Sequence, residues 1–178
     1  MAQRHDEILA AGARVIGISV DPPEMQSAMV KKLELPFPLL SDPDRSRAID
    51  PFGLSDPIDK RNIAVPATIV IGPDGDERYR TVGRDFADRP MDDEILAAVA
   101  DLDLPPTTQD APRLGPAEPS KAAFKVEQMV PYYRGARFAA IAMARRYPEA
   151  KADAAKYTAQ MDVYTEAAKD LYKRQRSN

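Results

Sequence analysis

The chain has 178 residues, 44% of them hydrophobic and 30% charged, enough apolar material for one packed domain with an appendage. It has no cysteine and a single histidine, which excludes disulfides, thiolate metal sites, a cysteine nucleophile within the chain and any multi-histidine metal site. The formal charge of −3 divides unevenly: residues 1–118 hold 13 Lys/Arg against 22 Asp/Glu, a balance of −9, and residues 119–178 hold 12 against 6, a balance of +6.

Residues 4–11 read as the last turns of a helix, with Ile8 and Leu9 apolar and Gly12 as its stop. The β-rich run from Arg14 to Val20 predicts a mostly buried strand. Asp21 then caps a helix that Pro22 opens, and Met25, Met29 and Leu33 form its apolar face, giving half of a βαβ unit. Pro36 and Pro38 forbid helix over Leu35 to Leu40. Asp42 is placed to cap a short helix through Ile49 that Gly53 breaks, and residues 55–63 read as polar loop. Val65 to Ile71 predicts a second strand, Gly72-Pro73-Asp74-Gly75-Asp76 a turn, and Glu77 to Val82 the returning strand of a hairpin. Pro90 to Glu94 opens another helix, whose buried stripe is Ile95, Leu96, Val99 and Leu102.

Five prolines between 103 and 119 predict a semi-extended linker. Beyond it the pattern is helical over about 120–130, 132–147 and 149–174. Ala150, Ala154, Tyr157, Met161, Tyr164, Ala168 and Leu171 follow a heptad spacing, which fits either a helical hairpin packed within the chain or the seam of a homodimer. No stretch nears the roughly 20 apolar residues that span a bilayer, and the first seven residues lack the apolar core of a secretory signal, so a soluble cytoplasmic protein is expected.

The order strand, helix, hairpin, helix, with Pro66 just ahead of the first hairpin strand, resembles the C-terminal half of a thioredoxin-like fold. Ala11-Gly12-Ala13-Arg14-Val15-Ile16-Gly17-Ile18-Ser19-Val20-Asp21, Phe37-Pro38-Leu39-Leu40-Ser41-Asp42 and Val65-Pro66-Ala67-Thr68-Ile69-Val70-Ile71-Gly72-Pro73-Asp74-Gly75 resemble the alkyl hydroperoxide reductase/thiol-specific antioxidant family of peroxiredoxin-like redoxins. The match covers about residues 6–102; the tail from about 110 carries no such resemblance. It implies thiol-dependent peroxide reduction or disulfide exchange, fed by a thiol reductant. The family's cysteine lies at the start of the helix before the Arg14–Val20 strand, so the strand and cysteine turn ahead of that helix would fall before Met1. The resemblance also implies a cis Val65–Pro66 bond and a substrate groove at Val65, Pro66 and Ala67. The absent strand would lie between the first strand and the first hairpin strand, leaving two open edges to be paired, covered or met by another chain.

Other constellations weigh less. Asp42, Asp44, Asp50, Asp56 and Asp59 lack the glycine and glutamate of an EF-hand and read as a solvated acidic loop. His5 beside Asp6 and Glu7 reads as an exposed terminal histidine, because adjacent helical residues point apart. Ser19 and Ser41 read as structural, having no histidine base in reach; Arg61, Arg80 and Arg84 read as surface residues. Six tyrosines in the basic tail fit packing better than base stacking, so nucleic acid is not an expected partner. The expectation is an α/β chain: residues 1–103 an incomplete thioredoxin-like sheet, 104–119 a linker, 120–178 a helical extension. It is a redoxin-family member without catalytic residues of its own, no metal or cofactor is implied, and a non-catalytic homo-oligomerising or partner-binding module is the alternative.

Overall fold

The computed structural model describes residues 1–61 and 63–177, so Asn62, within the expected 55–63 loop, lies outside the described residues. The chain forms two compact units, residues 1–120 and 121–178. In the first, a single 3₁₀ turn (Ala2–Arg4) leads into α1 (His5–Ala10), followed by β1 (Gly17–Ser19), α2 (Pro23–Leu33), β2 (Leu39–Ser41), β3 (Ala67–Ile71), β4 (Glu77–Val82) and α3 (Asp92–Ala100). The fold is α/β, as expected, but the strands form two separate pairs instead of one sheet.

β1 and β2 run parallel, Gly17 opposite Leu39 and Ser19 opposite Ser41. The βαβ unit half-legible in the sequence is therefore complete. Its second strand hides behind two prolines: Pro38 cannot donate, yet its carbonyl accepts from Gly17 N at 3.0 Å. The strand is shorter than the predicted Arg14–Val20 run, because β2 offers only three paired residues. α2 lies over this pair on Gln26 and Val30, not on the expected Met25/Met29/Leu33 face. The reason is polar: Gln26 Nε2 donates to Ser19 Oγ at 2.7 Å and to the Leu40 carbonyl at 3.2 Å, which fixes the helix rotation. Asp21 does not cap α2. Its carboxylate accepts from the Ser19 hydroxyl, while Ser41 Oγ donates to its carbonyl, so both serines are structural.

The hairpin forms as read. β3 and β4 are antiparallel, with Thr68 opposite Thr81 and Val70 opposite Tyr79, and an irregularity at Val70/Ile71. Gly75, at φ +89°, takes the left-handed position that closes the turn. α3 backs the hairpin through Ile95 and Val99, which pack with Val70; Ile8, Val15 and Phe37 form a second core cluster.

The predicted helix from Asp42 to Ile49 is absent, replaced by consecutive turns. Arg45 sits at φ +63°, which a continuous helix does not allow, and the loop is organised by the buried Asp42 carboxylate. It accepts backbone N–H groups from Arg47 (3.2 Å), Ala48 (2.9 Å) and Ile49 (3.0 Å).

In the second unit, α4 (Val126–Arg146) runs through Pro131 without a break, so the expected helices over 120–130 and 132–147 are one. Pro131 lies in the second turn, where one N–H is lost but the chain can still propagate. A 3₁₀ turn (Pro148–Ala150) joins it to α5 (Lys151–Ser177). α5 packs back along α4: Tyr133 meets Tyr164 at 5.3 Å between ring centroids, and Arg137 Nε reaches Asp162 at 2.8 Å. Met161, Ala168 and Leu171 of the heptad stripe are buried, Met161 completely.

Candidate functional site

Among the described residues β1 and β3 each pair with one strand only, and β3 borders a cleft in the first unit. Gly17 N donates to Pro38 and Asp42 N donates to the Ser19 carbonyl, so β1 uses its odd-numbered residues toward β2. By strand alternation Ile16 and Ile18 direct their N–H and C=O groups the other way. On the hairpin, Gly83 N donates to Pro66 O at 2.7 Å, and the register puts Thr68 and Val70 toward β4. Ala67, Ile69 and Ile71 therefore turn their backbone groups outward. Between residues 14–16 and residues 67–71 lies a cleft of about 560 Å³, floored by Ile8, Ile95 and Val99. Arg14 is the one charged side chain among the described residues that line it.

The other side of residues 14–16 is already occupied. The Gln109 carboxamide accepts from Val15 N at 3.0 Å and donates to Val15 O at 2.6 Å, imitating a strand neighbour where Pro36 and Pro38 prevent β2 from extending. Its oxygen also pairs with His5 Nε2 at 3.0 Å, and Thr107 N donates to the Leu9 carbonyl at 2.9 Å. His5 is thus buried, contrary to the exposed position expected of it, and its partner is Gln109, not Asp6 or Glu7. Since the acceptor is a carboxamide oxygen, Nε2 carries the proton. Gln109 had no signature in the sequence: it is one polar residue in a proline-rich tract.

The Val65–Pro66 bond is trans, which corrects the cis geometry carried over from the resemblance. Both flanks of that trans bond are satisfied: Val65 N donates to Leu54 O at 2.8 Å, and Pro66 O accepts from Gly83. A trans X–Pro bond is also favoured intrinsically by about 0.5–1 kcal/mol. Val65, Pro66 and Ala67 lead into β3, all half-buried, and Ala67 borders the cleft. The arginines weighed earlier have carboxylate partners. Arg61 pairs with Asp59, whose pKa is lowered to about 2 chiefly by that hydrogen bond; Arg84 pairs with Asp88; Arg80 pairs with Glu77 and donates to Phe52 O at 3.0 Å. Among the described residues no group of three or more His, Asp or Glu side chains is arranged to hold a metal ion, and no helix is long and apolar enough to cross a membrane.

The described lining of the cleft combines β3 backbone groups with mostly apolar side chains, Arg14, Thr68 and Thr107 being its polar ones. Residues 1–80 match the AhpC/TSA family model, a stretch holding α1, both parallel strands and the start of the hairpin. Over that stretch the chain is similar to the AhpC/TSA family. No curated protein matches the chain significantly.

Proposed function

We propose that this chain is a non-catalytic redoxin, a family scaffold that binds a partner and performs neither peroxide reduction nor disulfide exchange alone. The observation that carries this reading is the absence of any cysteine in a chain whose first 80 residues match the AhpC/TSA family model, a family whose resemblance implies thiol chemistry. Thiolate attack on a peroxide or disulfide needs a sulfur that reacts far faster than any serine or carboxylate at neutral pH. In this reading Val65, Pro66 and Ala67 mark the retained substrate-groove edge, and the cleft beside Ala67 is a binding surface. Self-association through the 149–174 helix is the weaker reading, because Met161, Ala168 and Leu171 of its apolar stripe are already buried in a unit where α5 packs along α4.

The test is turnover of hydrogen peroxide by the purified chain with dithiothreitol as reductant. The expected rate equals the protein-free blank across pH 6–8. A rate proportional to protein concentration would overturn the proposal.

A further inference from the structure

We infer that a second pocket, formed where the proline-rich tract passes Pro38, binds a small carboxylate or phosphate through Arg14 and Arg113. The pocket measures about 460 Å³, and among the described residues it shares only Arg14 with the cleft at β3. The inference goes beyond the redoxin reading and stands without it, since it follows from unpaired charge in a place that reading does not use.

Charge sets the class of ligand. In the first unit Arg4, Arg45, Arg61, Arg78, Arg80 and Arg84 each hold a carboxylate. Arg14 and Arg113 hold none among the described residues, yet both line this one pocket. Two guanidiniums left unpaired in one concavity repel each other. An oxyanion bound there replaces the repulsion with charge-assisted hydrogen bonds, which the planar guanidinium fork can make two at a time. The pocket is fastened before any ligand arrives: Gln109 accepts from Val15 N at 3.0 Å and donates to Val15 O at 2.6 Å, which ties the tract to the residue next to Arg14. Thr108 Oγ1 has no partner among the described residues and adds a neutral donor, while the rings of Pro38 and Pro112 give short apolar walls. Asp110 is the one acid in the lining and opposes the anion, but the two arginines outweigh it. The volume lies within the roughly 300–1,000 Å³ usual for small-molecule sites. A long polyanion is disfavoured, because residues 1–118 carry a balance of −9 and repel it outside the pocket.

The probes are inorganic phosphate and succinate, titrated separately into the full chain at neutral pH and constant ionic strength, with the arginine Nε–H signals followed by nitrogen-15 NMR. At least one probe should bind saturably with a Kd of about 5 mM or lower. The Arg14 and Arg113 signals should move together, while that of Arg89, exposed and outside the pocket, stays still. Arg14→Gln and Arg113→Gln should each weaken binding at least fivefold, Asp110→Asn should strengthen it at least twofold, and Arg89→Gln should change nothing. All four positions are exposed, so the urea midpoint should hold in each variant. Saturation by phosphate alone upholds the site and assigns it a phosphate ligand; saturation by succinate alone upholds it and assigns a carboxylate. The inference is overturned by no saturable shift with either probe up to about 50 mM, or by wild-type affinity in the Arg14→Gln/Arg113→Gln double variant. Arg89 shifts that track those of Arg14 would also overturn it, since they report general screening of surface charge.

Discussion

A glutamine side chain can stand in for a peptide group, because its carboxamide has one face that accepts and one that donates. Gln109 uses both on Val15, which is itself buried. Gln109→Ala leaves the N–H and C=O of Val15, and Nε2 of His5, without a protein partner; each unsatisfied buried group costs about 1–3 kcal/mol. The expected loss in urea unfolding is about 2 kcal/mol or more, with faster exchange of the Val15 amide. Asp42 makes the complementary arrangement, one carboxylate holding three backbone donors. The Ile49 N–H, foremost, keeps its pKa below the ordinary carboxylate value, followed by those of Ala48 and Arg47. Because the folded value is the lower one, this contribution to stability is complete above the unfolded pKa of about 3.9 and is lost as pH falls through the depressed folded value. The urea midpoint should therefore decline on acidification below about pH 4, and Asp42→Asn should be less stable at pH 7 with a shallower acid limb.

At the scale of elements, what could be read from the sequence was what local chemistry dictates. The turn at Gly72–Asp76 and the hairpin strands follow from proline, glycine and alternation, and the heptad stripe of α5 names its buried face. What could not be read depends on distant partners. β2 consists of three residues, and only pairing with β1 makes them a strand. α2 is rotated by the Gln26 amide, a contact that periodicity of apolar residues does not register. The 42–49 segment has an N-cap residue and helix-compatible spacing, yet a buried carboxylate draws its N–H groups inward instead. The open edges of β1 and β3 were foreseeable from strand order, whereas the Gln109 clamp and the trans bond before Pro66 were not. In the helical hairpin, Met161 is fully buried; Met161→Ala should destabilise that unit by about 2–5 kcal/mol in denaturant titrations followed by helical circular dichroism.

The whole molecule consists of two bodies, and their boundary falls where the charge changes sign. Residues 1–120 hold the acidic excess and residues 121–178 the basic one, a division the net value of −3 conceals. The chain on either side of that boundary is extended and exposed, and basic residues sit within it: Arg113 and Lys121 are both open to solvent. Brief exposure to trypsin should nick there before it reaches either packed body. The products would then part company in an electric field at neutral pH, the larger fragment migrating to the anode and the smaller to the cathode, although the uncut parent scarcely moves.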